Sequence, residues 1–576
     1  MEFKLAMSLK ELKHRTSKRT YKGIKMLSSS DRAAKKLSNE DLLVLCHLTR
    51  AAKLMDQVHL KLEHPQNLEF LEFLNKGVEN GDKKCELARR MFLSQKSMFS
   101  PDSLGNKTVL AKNVVEYAGQ GYFPADLTEE EFHKILSDMI DAGEVGEVKA
   151  ILSQRTIVVR DENKLKAIDF VDAFEEFKQM ADELELAKQH STDRKFDKYL
   201  ELQIAALRKA DPVLDAKADI AWAKLDGGKF EFSITRECYE ETLTKTIYEN
   251  EALAKKLKDN GVVVYAKDSL GARVGIVNKS GTKILKRLKS LVAVAANYMP
   301  FKNEYESLVS NEDAKQVAVD VDLVTLTGEE GAYKAGIVVA QNLPNDDKLA
   351  LAMGGGRRNV YHRQIRKRSN KKLYKALICD EQFKFYNPEA DHWAVICHEN
   401  THSLGPKSHN VLGKYSAILE EYKADMGMYA FLDRFVEAGC FSEVQAKQIM
   451  VTSLSKSFLK GKPNMEQPHR VRSVMICNRM LSDKAIVFEN GKLRFDFEKI
   501  VEVAYKMMSE VVRLQLDHNV KNAKDYISKW FVWSKEIDEV ASIIKTHSKM
   551  LNGYLITPLA DEFLDLEFEK KLTERK

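Results

Sequence analysis

His398-Glu399-Asn400-Thr401-His402 is followed, after residues 403 to 420, by Glu421 within Leu419-Glu420-Glu421-Tyr422-Lys423-Ala424-Asp425. Histidines at i and i+4 share one face of a helix, so both imidazoles can reach one metal ion. Glu399 is rotated about a quarter turn from His398, which suits a base beside the metal's water rather than a ligand. Glu421 can supply the third protein ligand from a second helix. Asp425 stands one turn further along that helix, on the same face, where it can orient a ligand histidine. Three protein donors and a water make a catalytic zinc arrangement, whereas a structural site is closed by four. For the pentapeptide alone, a polar helix with two exposed histidines is the competing reading. The second motif, at a distance that lets two helices pack antiparallel, is a separate requirement and favours the metal.

Composition is that of a globular chain: 576 residues, 44% hydrophobic and 31% charged, enough for two or more lobes with a large core. A net charge of +6 is small for this length and gives no strong case for nucleic acid as a partner. The seven cysteines are scattered, odd in number and free of any CxxC pair, as expected of reduced thiols. Cys397, beside His398, reads as a small buried helix residue rather than a ligand. The first residues carry no apolar leader and no stretch approaches 18 uninterrupted apolar residues, so the expectation is a cytoplasmic protein without a membrane partner. The basic run up to Lys36 reads as a solvated helical face.

Helical periodicity covers residues 40 to 95 and 127 to 225. Thr128 and Glu131 have the spacing of a capping box. Strand character appears at 156–159, 261–266, 317–327, 336–340 and 375–379, and the pattern from Asp391 to about 550 is again helical. These patterns give a helical N-terminal region (1–110), a segment with a β core (111–350), a helical zinc-bearing segment (351–545) and a tail (546–576). With no repeat and no Pro- or Ser-rich linker, the lobes are expected to pack together and to be interrupted in sequence.

Three further stretches carry chemistry. Asn342-Leu343-Pro344-Asn345 reads first as a strand-ending turn; the alternative is a strand edge that binds an extended peptide, with the two amides fixing its end. Gly354-Gly355-Gly356 lacks the spacing of a phosphate loop and reads as a hinge, and the basic run 363–372 as solvated surface. His469 opens a helix, as a cap or, in a zinc hydrolase, as a group facing an oxyanion.

Together these residues resemble the dipeptidyl peptidase III family of zinc exopeptidases. The likeness runs from about Gly121-Tyr122-Phe123-Pro124 to Met480 and includes Thr192-Asp193, the 234–241 segment, the Asn342 turn and the His469 helix. The resemblance implies an α+β fold of two lobes, one mostly helical and zinc-bearing, the other with a β-barrel-like core plus helices, and a cleft between them. It implies one Zn2+ held by His398, His402 and Glu421, with Glu399 as general base, His469 stabilising the transition state, and Glu420 and Asp425 behind the ligands. Ile337 and Val339 would line the peptide-binding strand. Asn342 and Asn345 would hold the substrate's N-terminal end, and Glu237 and Tyr239 would face its free amine. The motif departs from the family's commoner HExxGH in lacking one residue, and Asp425 replaces a commoner Glu; neither change removes a ligand.

The implied activity is release of dipeptides from short peptides with a free N-terminus. Another zinc peptidase with the same metal motif is one alternative, although the chain lacks the GxMxN aminopeptidase signature. A catalytically weak peptide-binding protein on the same fold is the other.

Overall fold

The structure, a computed structural model, describes residues 3–17, 22–24, 26–101, 107–209, 212–237, 241, 243–286, 290–306, 317–329, 340–343, 358–362, 370–406, 411–465, 467–547, 554–556 and 561–574. The fold is mixed α+β. Packing divides it into two compact units interleaved along the chain: Met1–Asn278 with Val321–Val338 and Asn552–Lys576, and Lys279–Asp320 with Val339–Leu551. No helix among the described residues is long and apolar enough to cross a membrane.

The first unit is organised round helix α1 (Asn39–Glu63). Ser38 and Asp41 cap it reciprocally, satisfying two end N–H groups. Its buried residues include Leu43, Val44, Leu45, Leu48 and Ala52, which surround it with core on several sides. Helix α2 (Glu129–Asp141) starts at Thr128, whose hydroxyl accepts from the Glu131 N–H at 3.2 Å. The reciprocal half of the expected capping box is replaced: the Glu131 carboxylate takes two bonds from Arg160 at 2.9 Å. Strands β1 (Thr156–Asp161) and β2 (Lys164–Asp169) form an antiparallel hairpin. Helices α3 (Glu176–His190) and α4 (Arg194–Arg208) follow, the first packing along α1.

Strands β3 (Phe230–Glu237), β4 (Ser269–Val277) and β5 (Val317–Gly328) are antiparallel, with a register irregularity at Val274/Gly275. They belong to a sheet curled into a half barrel, and β4 is buried along its whole length. The strand expected at 261–266 is absent from this ladder. Its backbone turns elsewhere: Tyr265 N–H donates to Leu152 O and Asp268 N–H to Gln154 O, so the segment is held by a loop and pairing begins only at Ser269.

In the second unit β6 (Ala340–Leu343) pairs antiparallel with β7 (Arg358–His362), Asn342 opposite Asn359. Asn342 is therefore a strand residue and not part of a turn. Of the strand expected at 336–340, only Ala340 lies within the described residues. The stretch read as a strand at 375–379 belongs instead mostly to helix α5 (Lys371–Leu377), capped by Asn370; its buried Leu373 and Leu377 are spaced i, i+4 rather than alternating. Ile378 makes one isolated bridge to Leu493.

The rest of this unit is a helical layer: α6 (Pro388–Thr401), α7 (Ser416–Gly427), α8 (Glu443–Ser457), α9 (Pro468–Ser482) and α10 (Phe497–Asp517). Helix α7 lies against α6, α9 and α10, and Ile396, Leu419, Tyr422, Met426, Val471, Met475, Met507 and Val511 share their common core. Gly427 lets α7 approach α6, because a Cβ there would overlap the Thr401 side chain. Gly427→Ala is therefore expected to destabilise the chain by about 1–3 kcal/mol in denaturant unfolding, by forcing apart two helices that pack at this point.

A buried ion pair in the first unit gives a second expectation. Asp56 on α1 accepts from Gly328 N–H at 2.8 Å and meets Lys96 at 2.8 Å. Burial alone raises its pKa, but Lys96 and Lys53 overcome this and hold the carboxyl well below the usual range. Burial also lowers Lys96, which Asp56 opposes. Because the folded Asp56 pKa is depressed, its contribution is complete above the unfolded value of about 3.9 and declines as pH falls towards the folded one. Asp56→Asn should lose about 3–5 kcal/mol at neutral pH and show a shallower fall of stability in acid, read from denaturant midpoints at several pH values.

Candidate metal centre

Helix α6 carries the first motif. Asn387 caps it, accepting from Glu389 N–H at 3.0 Å; Pro388 takes the first turn, where no backbone donor is needed. His398 and Glu399 lie in the last turn, and His402 is the C-cap residue with φ −57° and ψ −25°, still helical. The i, i+4 geometry thus survives past the helix end. Helix α7 brings Glu420, Glu421 and Asp425.

The three residues expected to hold metal converge. One donor atom from each of His398, His402 and Glu421 lies within 4.8 Å of the others. The two Nε2 atoms are 3.2 Å apart, and Glu421 is 3.4 Å from His398 Nε2 and 3.9 Å from His402 Nε2. Behind them, His398 Nδ1 meets Asp425 at 2.8 Å and His402 Nδ1 meets Glu420 at 3.0 Å. An ionised carboxylate only accepts, so each Nδ1 carries a proton; in the neutral imidazole this leaves Nε2 as the nitrogen able to bind a metal.

These side chains fit a divalent cation. When both imidazoles are neutral with Nδ1 protonated, the two Nε2 lone pairs 3.2 Å apart repel unless positive charge lies between them. The Glu421 Oε2 atom is buried, with His469 Nδ1 2.9 Å away and Arg472 Nε 3.9 Å. Two nitrogens and a carboxylate oxygen suit Zn2+. The field of the site favours positive charge. Burial lowers the His398 pKa, but hydrogen bonds to Asp425 and Glu421 reverse this and raise it to about 10. Burial pushes Glu421 up, but the His469 charge and the histidine hydrogen bonds pull it well below the usual carboxylate range. Glu420 is likewise lowered against its burial, by Lys423 and His402.

Glu399 is 6% exposed, and burial raises its pKa against the opposing charges of His398 and His402. A carboxylate made more basic, next to the ligand pair, is suited to taking a proton. Cys397 is buried and its thiol is pushed up by burial, which keeps it protonated and fits a packing residue. His469, in the first turn of α9, is half-exposed and faces Glu421.

The remaining expected site residues divide. Asn342 is buried on β6 and bonded to Asn359, in the same unit as the metal motif. Glu237 ends β3 opposite Ser269, in the other unit. Tyr239, Ile337, Val339 and Asn345 lie outside the described residues, as do Gly354-Gly355-Gly356 and 363–369 of the basic run.

Four contributors were not expected from the sequence. Arg472 donates twice to Asp425, at 2.7 and 3.1 Å. Lys423 bonds Leu404 O at 2.7 Å and pairs with Glu420 at 2.9 Å. Gln515 donates to Glu420 at 3.1 Å, and Asn359 joins Asn342 to Asn400. Arg472 and Lys423 had a local signal, each standing one helical turn from a site residue; Gln515 and Asn359 had none. A second group able to hold a cation, His59, Glu63 and Glu329, lies in the first unit, where Ser269 Oγ joins His59 Nδ1 at 3.3 Å to Glu329 at 2.9 Å.

Asp425→Asn leaves the first ligands intact but weakens the hold on His398 and Arg472. Its metal affinity, measured by chelator competition, should fall about 10- to 100-fold.

No family model matches the sequence. The curated relative Nudix hydrolase 3 of Arabidopsis thaliana is 24% identical over 314 residues; the match takes in 52% of this chain and only 37% of that protein's length. Solved structures match over nearly the whole chain. Dipeptidyl-peptidase III from Corallococcus sp. strain EGB superposes with a TM-score of 0.79 at 19% identity, covering 98% of this chain and 99% of that one. DPP III from Caldithrix abyssi gives 0.73 at 22% identity, covering 96% and 98%. The chain has the dipeptidyl peptidase III fold.

Proposed function

We propose that the protein is a zinc-dependent exopeptidase that releases dipeptides from the free N-terminus of short peptides. The observation that carries this reading is the convergence of His398, His402 and Glu421 within 4.8 Å, each histidine backed by its own carboxylate. The near-complete superposition on structures titled dipeptidyl peptidase III supports it.

His398, His402 and Glu421 would hold the ion. Zinc bound there supplies Lewis acidity, polarising a carbonyl and lowering the pKa of water towards about 7. Glu399 takes the proton of the attacking water and delivers it to the leaving amine; its raised pKa suits both transfers. His469 stabilises the developing oxyanion. Glu420 and Asp425 keep both imidazoles in the tautomer with Nε2 unprotonated. Asn342 and Asn345 would hold the N-terminal end of the peptide along Ile337 and Val339.

Two results are expected. With metal-loaded protein, mass spectrometry of peptides of three to ten residues should detect dipeptides released stepwise from free but not N-acetylated termini, and a chelator should abolish them. Single amino acids or internal fragments would point to another class of zinc peptidase. Glu399→Gln should retain stoichiometric zinc while turnover falls on the order of 10^2- to 10^4-fold; near-normal turnover would sink the assignment.

A further inference from the structure

One guanidinium links the acid behind His398 to the start of helix α9. Arg472 Nε donates to Asp425 Oδ2 at 2.7 Å, and its Nη2 donates to Asp425 Oδ1 at 3.1 Å. Asp425 Oδ1 also accepts from His398 Nδ1 at 2.8 Å. The third nitrogen of the guanidinium, Nη1, donates to the His469 carbonyl at 2.9 Å. A chain of polar contacts therefore runs from a candidate ligand on α6, through Asp425 on α7, to the residue on α9 whose ring stands 2.9 Å from Glu421.

The geometry asks for arginine. A guanidinium is planar and rigid, and its two edges face different ways. The Nε and Nη2 edge meets the carboxylate as a fork, and the plane then fixes where Nη1 points. Lysine carries the same charge as a compact point on a flexible stem, so it cannot hold both partners in one plane. The His469 end needs such a hold. Gln467, at the N-cap of α9, makes no side-chain cap bond, so the first turn is not tied from in front. It is tied from behind instead: Arg472 Nη1 and Ser473 Oγ, the latter at 3.0 Å, both donate to the His469 carbonyl. The His469 side chain is 45% exposed, so core packing does little to fix its ring and the backbone beneath it matters more. The Asp425 side chain, by contrast, is buried, which stiffens the fork that anchors the other edge.

We propose that Arg472 is a positioning residue that sets two groups of the site at once. Through Asp425 it holds His398 in line for the metal, and through the His469 carbonyl it holds the group that faces the oxyanion. The inference rests on the peptidase reading above and deepens it: ligand orientation and transition-state stabilisation come to depend on one side chain outside both metal motifs.

The test uses the full chain. Zinc affinity is read by chelator competition, which needs no substrate. The constants kcat and KM are read at saturating zinc on a tetrapeptide with a free N-terminus. Arg472→Met removes the charge and both contacts; it should weaken zinc about tenfold and lower kcat about tenfold, with KM within about twofold. In an Asp425→Asn background the same substitution should change zinc affinity by less than about twofold, because its route to His398 is already cut. Arg472→Lys keeps the charge beside Asp425 and loses the fork, so zinc affinity should stay within about threefold of wild type while kcat still falls about tenfold. A role in stability alone would move zinc affinity and kcat together in both variants. If the methionine variant does not fold, the lysine variant decides by that split. Additive losses of zinc affinity in the Asp425→Asn background overturn the proposal. So does a lysine variant that keeps wild-type kcat or loses zinc and kcat together, or a methionine variant that matches wild type in both. A wild-type chain that releases no dipeptides removes both this inference and the reading beneath it; an active wild type with any of the overturning results removes the inference alone.

Discussion

The second unit depends on a pair of carboxylate–imidazole hydrogen bonds, Asp425 to His398 and Glu420 to His402, made across the α6–α7 contact. Four acids and two histidines stand within two helices, and most are buried. Isolated burial of any one charge would cost several kcal/mol. The arrangement holds because three of the acids are matched: Glu420 by Lys423 and Gln515, Asp425 by Arg472, and Glu421 by His398 and His469.

That demand explains features of the packing around it. Polar groups so close together must sit on helices that cannot shift, and the apolar shell supplies the restraint. Ile396 and Leu419 lie beneath the motifs, Tyr422 and Met426 on α7, and Val471 and Met475 on α9. Gly427 removes the one Cβ that would hold α7 away from Thr401. The partners of the acids come from several elements, Arg472 from α9 and Gln515 from α10, so the polar balance at the candidate site is a property of the helical layer and not of the two motifs alone.

How much of this was legible depended on the range of each interaction. The convergence of His398 and His402 was readable because i, i+4 spacing fixes a helical face whatever surrounds it. Asp425 and Glu420 were readable because they share one helix with Glu421. Asn342 looked like a turn residue because Pro344 and Asn345 dominate local statistics; it is a strand residue because β7 supplies a partner. The apolar run at 375–379 resembled a strand, but Leu373 and Leu377 on one helical face decided otherwise. The run at 261–266 has strand composition, yet its Val262 N–H donates to Leu257 O and its Tyr265 N–H to Leu152 O rather than to a neighbouring strand.

The sequence by itself determined the local geometry of the candidate metal-ligand set, because those residues lie within two short helical stretches whose periodicity is intrinsic to the backbone. Tertiary structure decided what makes the set work as one site. It brought the two helices into register, delivered Arg472 and Gln515 to the acids, and lined up Asn342, Asn359 and Asn400 from three separate stretches of chain. Contacts between residues dozens of positions apart carry no periodic signature. They form only when the shared core fixes the elements that bear them, which is why they could be found only in the folded chain.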